Sequence, residues 1–331
     1  MTKLATSKMQ VRATRKSNVW VATAAMLLLL ALSHGWSTYP LFLLTQVLIF
    51  GIAAMGLNLL VGYTGQVSLG HSAFFALGAY GVAVLCSHVG MPYYVSIPAS
   101  TILCYLLGYL FGFPALRLPM LYLALSTFAI AVVTPQALKW KQIAWLTGGV
   151  QGVVLDKPTF PFVAVEKTEW GILAVTLLLA LFAFLIARRT LSSQFGRVID
   201  AVRDQPLAAE AGGINVTLVK TQMFGMSAAY TSLAGGLGAM SSQFVSPESY
   251  PFFLSVSLLV ASLVGGVRSL LGAFVGAAFI VFVPNMAESL SQSAPSLIFG
   301  LALVAVVFVA PQGIAGAVKS LWQRHSLSRR V

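Results

Sequence analysis

Seven polar residues stand on or beside apolar stretches of this chain, where their side chains could line a path for a solute: Asn58, Gln66, Ser68, His71, Tyr122, Ser126 and Thr127. Amide, hydroxyl and imidazole groups can exchange hydrogen bonds with a passing polar molecule. Ser68 with Ser72, and Tyr122 with Ser126, are spaced to share a helix face. Taken singly, each residue also fits the plainer role of bonding one helix to another. His71 is the one ionisable group expected at depth in the membrane. It reads first as a hydrogen-bonded packing residue and second as a proton relay.

Catalysis and a resident metal find no support in the spacing. His34, His71, His88 and His325 are scattered without ligand spacing. Cys86 and Cys104 fall inside apolar runs, where packing is the default. No GxxxxGK[ST] loop is present to cradle a nucleotide. Ion-driven carriers usually place carboxylates or histidines within their spans, whereas the carboxylates here are expected at span ends or in loops. A sodium site built from carbonyls and hydroxyls stays open. The chain is expected to bind no cofactor itself, and any ATP must be hydrolysed on another polypeptide.

The elements that must position these residues are membrane helices. The 331 residues are 58% hydrophobic and only 8% charged, with a net charge of +12, far from soluble norms. Runs long enough to cross a hydrocarbon core of about 30 Å lie near 18–36, 40–60, 67–88, 94–112, 117–134, 170–187, 220–242, 250–267, 270–288 and 295–311. The expected fold class is therefore all-α, a polytopic membrane protein of about ten spans. Basic residues cluster before the first span (Lys3, Lys8, Arg12, Arg15, Lys16), within 188–220, and at the end (Lys319, Arg324, Arg329, Arg330). By the positive-inside rule both termini are cytoplasmic. Basic residues in tails and loops, with no aromatic interleaving, argue against nucleic acid. The resulting organisation is a basic tail at 1–17, one transmembrane domain at 18–311 and a second basic tail at 312–331. Residues 134–170 form an outer loop. A cleaved signal peptide is the alternative for the first span.

The glycine-punctuated segment 56–85 reads as a broken helix, with the break near 61–70. Irregular backbone at that depth must be buried in protein or line a cavity. LVGYTGQVSLG at 60–70 faintly echoes LVGGVRSLLG at 263–272, and a genuine repeat would mark a second broken element. Small residues four apart, Gly272 with Gly276, Ala273 with Ala277, Ser232 with Gly236 and Gly235 with Ala239, point to close helix packing, within the chain or against a second subunit.

The cytoplasmic segment 188–220 has helical punctuation of its own. Pro206 suits a first helical position, Leu207, Ala208, Ala209, Glu210 and Ala211 are good helix formers, and Gly212-Gly213 supplies a stop. The result is a helix of about two turns. Phe195, Val198, Val202 and Leu207 are expected to form an apolar face, rimmed by Arg197, Arg203, Asp204 and Glu210. It would seat in a groove on a partner or rest on the membrane surface.

Four stretches together, 56–80, GRVIDAVRDQPLAAEAGGI at 196–214, TGGVQG at 147–152 and PQGIAG at 311–316, resemble the permease subunits of branched-chain amino-acid ABC importers. They span most of the chain in the right order. The resemblance implies an inner-membrane importer subunit rather than an enzyme. It also implies a second, homologous permease, two ATPase subunits and a periplasmic substrate-binding protein. The contact to the ATPase would map to Ala208, Ala209, Glu210, Ala211 and Gly213, within a coupling segment that also holds Arg203, Asp204 and Leu207. Two departures stand out: Pro206 where an acidic residue is common, and Gly212 where a larger one is usual. The outer loop, with Trp140 and Trp145, would face the binding protein or form a lid. Related permeases carry urea, other amino acids or aromatic acids, and a secondary carrier remains the rival class.

Overall fold

The computed structural model describes residues 35–115, 120–159 and 168–290, together with 300, 301, 303–305, 308 and 313. The basic tail 1–17, nearly all of the span at 18–36, much of that at 295–311 and the tail 312–331 apart from Gly313 lie outside the described residues.

Helices dominate. They are α1 (Thr38–Thr64), α2 (His71–Ser87), α3 (Tyr93–Ala115), α4 (Met120–Leu138), the single turn α5 (Ala144–Thr147), α6 (Thr168–Ser192), α7 (Gln194–Asp204), α8 (Pro206–Ala211), α9 (Val216–Ser242), α10 (Phe252–Gly265) and α11 (Leu270–Leu290). Six helices among the described residues are long and apolar enough to cross a membrane: α1, α3, α4, α6, α10 with its lead-in, and α11. The apolar α2 is shorter at 17 residues. The expected count of about ten is thus not reached on described residues.

α9 is the axis of the bundle. Its N-cap Asn215 accepts the Leu218 N–H through Oδ1, satisfying one of the donors a helix start leaves orphaned. Its small residues then admit α1, α2 and α3 on three sides. Thr231, Ala234, Leu237 and Ala239 are fully buried. The closest crossing is with α2: a Cβ on Gly235 would come within 2.0 Å of the Phe75 carbonyl oxygen. On the far side of α1, α10 and α11 form a tight antiparallel hairpin. Gly272 abuts the backbone of Gly265, Gly276 abuts that of Ala261, and Ala273 and Ala277 are fully buried. The small-residue pairs of the sequence are therefore spent inside the chain, where close backbone approach replaces the hydrophobic drive that lipid removes.

Outside the helices, Val153–Val154 (β1) pairs antiparallel with Phe244–Val245 (β2). This ladder ties the expected outer loop to the end of α9. TGGVQG makes the connection because Gly148, Gly149 and Gly152 adopt left-handed φ values of 71°, 57° and 77°, conformations that a Cβ disfavours. Lys139 and Glu248 close the same end with an ion pair.

Candidate functional site

Residues 65–70 separate α1 from α2, so the break expected at 61–70 is shorter than the sequence indicated. α1 holds its helix through Thr64 because the Thr64 hydroxyl and the Gly65 and Gln66 N–H groups all return to the Leu60 carbonyl. Gly65 takes the left-handed conformation that ends the helix. Beyond it, side chains satisfy the irregular backbone. The Leu69 N–H donates to Thr127 Oγ1 at 3.0 Å, the Gly70 N–H to Ser68 Oγ at 3.3 Å and the Ser72 N–H to Ser255 Oγ at 2.7 Å. These bonds answer the demand that backbone away from water finds partners in the protein. Gln66 is buried with both carboxamide atoms unpartnered among the described residues.

His71 opens α2 and is fully buried. Ser227 Oγ donates to the Gly56 carbonyl at 2.7 Å, so its proton is committed. The 2.7 Å contact between His71 Nε2 and Ser227 Oγ must then be donated by the imidazole. This hydrogen-bond logic places a hydrogen on Nε2, with Nδ1 unpartnered among the described residues.

A second break spans 266–269, between α10 and α11, where the sequence echo lies. Asn58 of α1 reaches across to it. Its Nδ2 donates to the carbonyls of Ser269 at 3.1 Å and Gly266 at 3.5 Å, and Ser262 donates to its Oδ1. Gly62 meets the same turn so closely that an added Cβ would stand 1.7 Å from the Val267 carbonyl oxygen. Gly266 sits at φ +105°, with Gly313 of the PQGIAG stretch against it.

Five of the seven polar candidates therefore serve a break. Gln66, Ser68, His71 and Thr127 belong to the first, and Asn58 clamps the second. Tyr122 and Ser126 do not join them. Tyr122 is 58% exposed on the outward face of α4 and, among the described residues, Ser126 bonds its own helix, at Leu123 O. Their four-residue spacing did place them on one face, but Thr127, about 100° further round the helix, is the residue that turns inward.

Between the end of α6 and the start of α9, the 188–220 segment carries two further helices, α7 and α8, at the basic end of the bundle. α7 was not anticipated as a helix, although Phe195, Val198, Ile199 and Val202 recur at helical spacing. Ile199 and Val202 are fully buried. α8 follows with Pro206 in its first turn, and the Gly213 and Ile214 N–H groups close it onto Glu210 O and Ala209 O. Gly213 takes φ +82°. The expected single apolar face is corrected. Val202 and Ala209 point into the protein, while Leu207 is 82% exposed. Asp204, Ala208, Glu210 and Ala211 are exposed with it, and Arg203 is half-buried.

Among the described residues no group of three His, Cys, Asp or Glu gathers to hold a metal.

The family described as "Branched-chain amino acid transport system / permease component" matches residues 39–310. The chain belongs to that permease family. The resemblance to this family is thereby borne out; both helix breaks and the α7–α8 pair fall within the matched residues, and the PQGIAG stretch at 311–316 lies just beyond them. Over 293 residues it is 29% identical to the high-affinity branched-chain amino acid transport system permease protein LivM of Salmonella typhimurium, covering 82% of this chain and 68% of that one. LivM of Escherichia coli is 28% identical over 313 residues, 86% of this chain and 73% of its own. The probable branched-chain amino acid transport permease protein LivH of Methanocaldococcus jannaschii is 25% identical over 285 residues, 80% and 88% of the two chains. The permease is thus a multi-pass membrane protein and a transport subunit.

Proposed function

We propose that this permease is one of two homologous membrane subunits of an ATP-driven importer of branched-chain amino acids. The observation that carries the reading is the family match over 39–310, with relatives named for branched-chain amino acid transport. Similarity to proteins named both LivM and LivH supports a paired arrangement. Two ATPase subunits supply the energy, each membrane subunit presenting a helix to one of them. In this chain that helix is α8, whose exposed Leu207, between Asp204 and Glu210, fits the apolar anchor and charged rim of a helix-in-groove contact. A substrate-binding protein docks at the opposite end on the surface holding Trp140 and Trp145, which are 59% and 73% exposed. Counting α2 and α9 beside the six long apolar helices, and adding spans at 18–36 and 295–311, gives about ten in the inner membrane with both termini cytoplasmic.

The solute path runs beside the first break, where Gln66 offers an unpartnered amide. Alternating access then amounts to moving the two helix breaks between inward-open and outward-open arrangements. Selection by the binding protein relieves the permease of the need for a tight site. The test is a competition series in vesicles holding the assembled complex and binding protein, with labelled leucine as tracer. Unlabelled leucine, isoleucine and valine are expected to compete, and urea and aromatic acids are not. Competition by urea or aromatic acids in place of leucine would move the chain to a different substrate within the same family.

A further inference from the structure

Arg268 of the 266–269 turn and Asp200 of α7 form an ion pair, Nη2 to Oδ1 at 2.8 Å, with both side chains about half exposed (50% and 51%). Arg268 is held from the other side by the last turn of α1. Its guanidinium lies over the Tyr63 ring, 5.7 Å from the centroid, and its carbonyl accepts the Tyr63 hydroxyl at 2.8 Å. One turn further along α7, Arg203 reaches Gly65, the residue at which α1 ends: its Cγ is 3.9 Å from where a Cβ on Gly65 would stand. α7 therefore lies beside both breaks, ion-paired to the second through Asp200 and packed near the first at Arg203.

We propose that the Asp200–Arg268 pair, braced by Tyr63, is the link that carries movement of α7 and α8 into the two helix breaks. The proposal rests on the reading of α8 as the ATPase contact and assigns what lies behind it. α7 is suited to act as a rigid lever, since Ile199 and Val202 are fully buried and Gly196 abuts the Leu191 carbonyl. The turn it pulls on is equally well defined, clamped by Asn58 and seated against Gly313. A half-exposed ion pair contributes little to folding. Losing it leaves a folded, assembled complex in which displacement of α7 no longer reaches 266–269.

The experiment uses the complete complex in proteoliposomes with binding protein, measuring ATP hydrolysis and labelled leucine uptake together for the unaltered chain, Arg268→Gln, Arg268→Lys, Asp200→Asn and the Arg268→Gln/Asp200→Asn double variant. Arg268→Gln and Asp200→Asn are each expected to lower uptake per ATP hydrolysed by about tenfold, within the range of typical coupling effects. ATPase subunits should stay bound. The double variant should be no worse than either single one, because both remove one link, and Arg268→Lys should keep most uptake. Unchanged uptake per ATP in Arg268→Gln, or losses that multiply in the double variant, overturns the link. The unaltered chain reads the underlying proposal separately: if it shows no ATP-dependent uptake, the importer reading itself falls, whatever the variants do.

Discussion

Asn58 and Ser269 are joined by a 3.1 Å hydrogen bond across 211 residues of sequence. The same carboxamide accepts from Ser262 and donates to the Gly266 carbonyl, so one fully buried side chain holds a four-residue interruption between two membrane helices. This satisfies carbonyls that the α10–α11 turn would otherwise strand away from water.

Replacing Asn58 by Ala should therefore destabilise the solubilised protein by about 1–3 kcal/mol, the cost of leaving buried partners unpaired. Thermal unfolding in detergent measures it. An unchanged transition would show that water takes over the bonds and that the turn needs no clamp.

Gly62→Ala tests the contact beside it. The new methyl would lie 1.7 Å from the Val267 carbonyl oxygen, so either α1 or the turn must shift, at roughly 1–3 kcal/mol for overpacking. Gly212→Ala is the control. Its Cβ would meet nothing nearer than 3.4 Å, and a change within about 0.5 kcal/mol is expected. Equal effects at the two positions would remove the close approach as the reason for Gly62.

Leu207→Asp should reduce recovery of bound ATPase subunits by about tenfold or more, as loss of a central anchor does, with the permease still inserted and folded. Ala209→Asp is the wrong probe for this purpose, since Ala209 is only 6% exposed and a carboxylate there would disturb the fold itself. ATPase recovery unchanged by Leu207→Asp would place the contact elsewhere.

His71→Gln should keep uptake within about twofold, because an amide N–H can still donate to Ser227. Uptake measured at pH 6 and pH 8 should keep its ratio in this variant. A pH dependence present in the unaltered chain and absent from His71→Gln would revive a proton-relay role for the imidazole.

The sequence made most of the membrane helices legible, because each is a long apolar run bounded by glycine, proline or charge. α1 overran its expected end at 60 because capping by Thr64 and Gly65 outweighed the glycine pattern. α7 went unread although its apolar spacing was present; Leu207 was assigned to the same face, but the separate helix α8 turns it outward. The β1–β2 ladder had no readable signal, since two-residue strands carry no periodicity. Polar residues were found more reliably than their directions. Tyr122 and Thr127 have similar sequence surroundings, yet it is the second that faces the irregular backbone and accepts the Leu69 N–H. The echo between 60–70 and 263–272 was weak as sequence, but both copies coincide with helix breaks.

The decisive measurement is labelled leucine uptake into vesicles carrying this chain with its partner subunits, with ATP inside, binding protein outside and ion gradients collapsed. Uptake that requires both ATP and the binding protein is the predicted result. Uptake by this chain alone, following an imposed ion gradient and indifferent to ATP, would contradict the account at its centre.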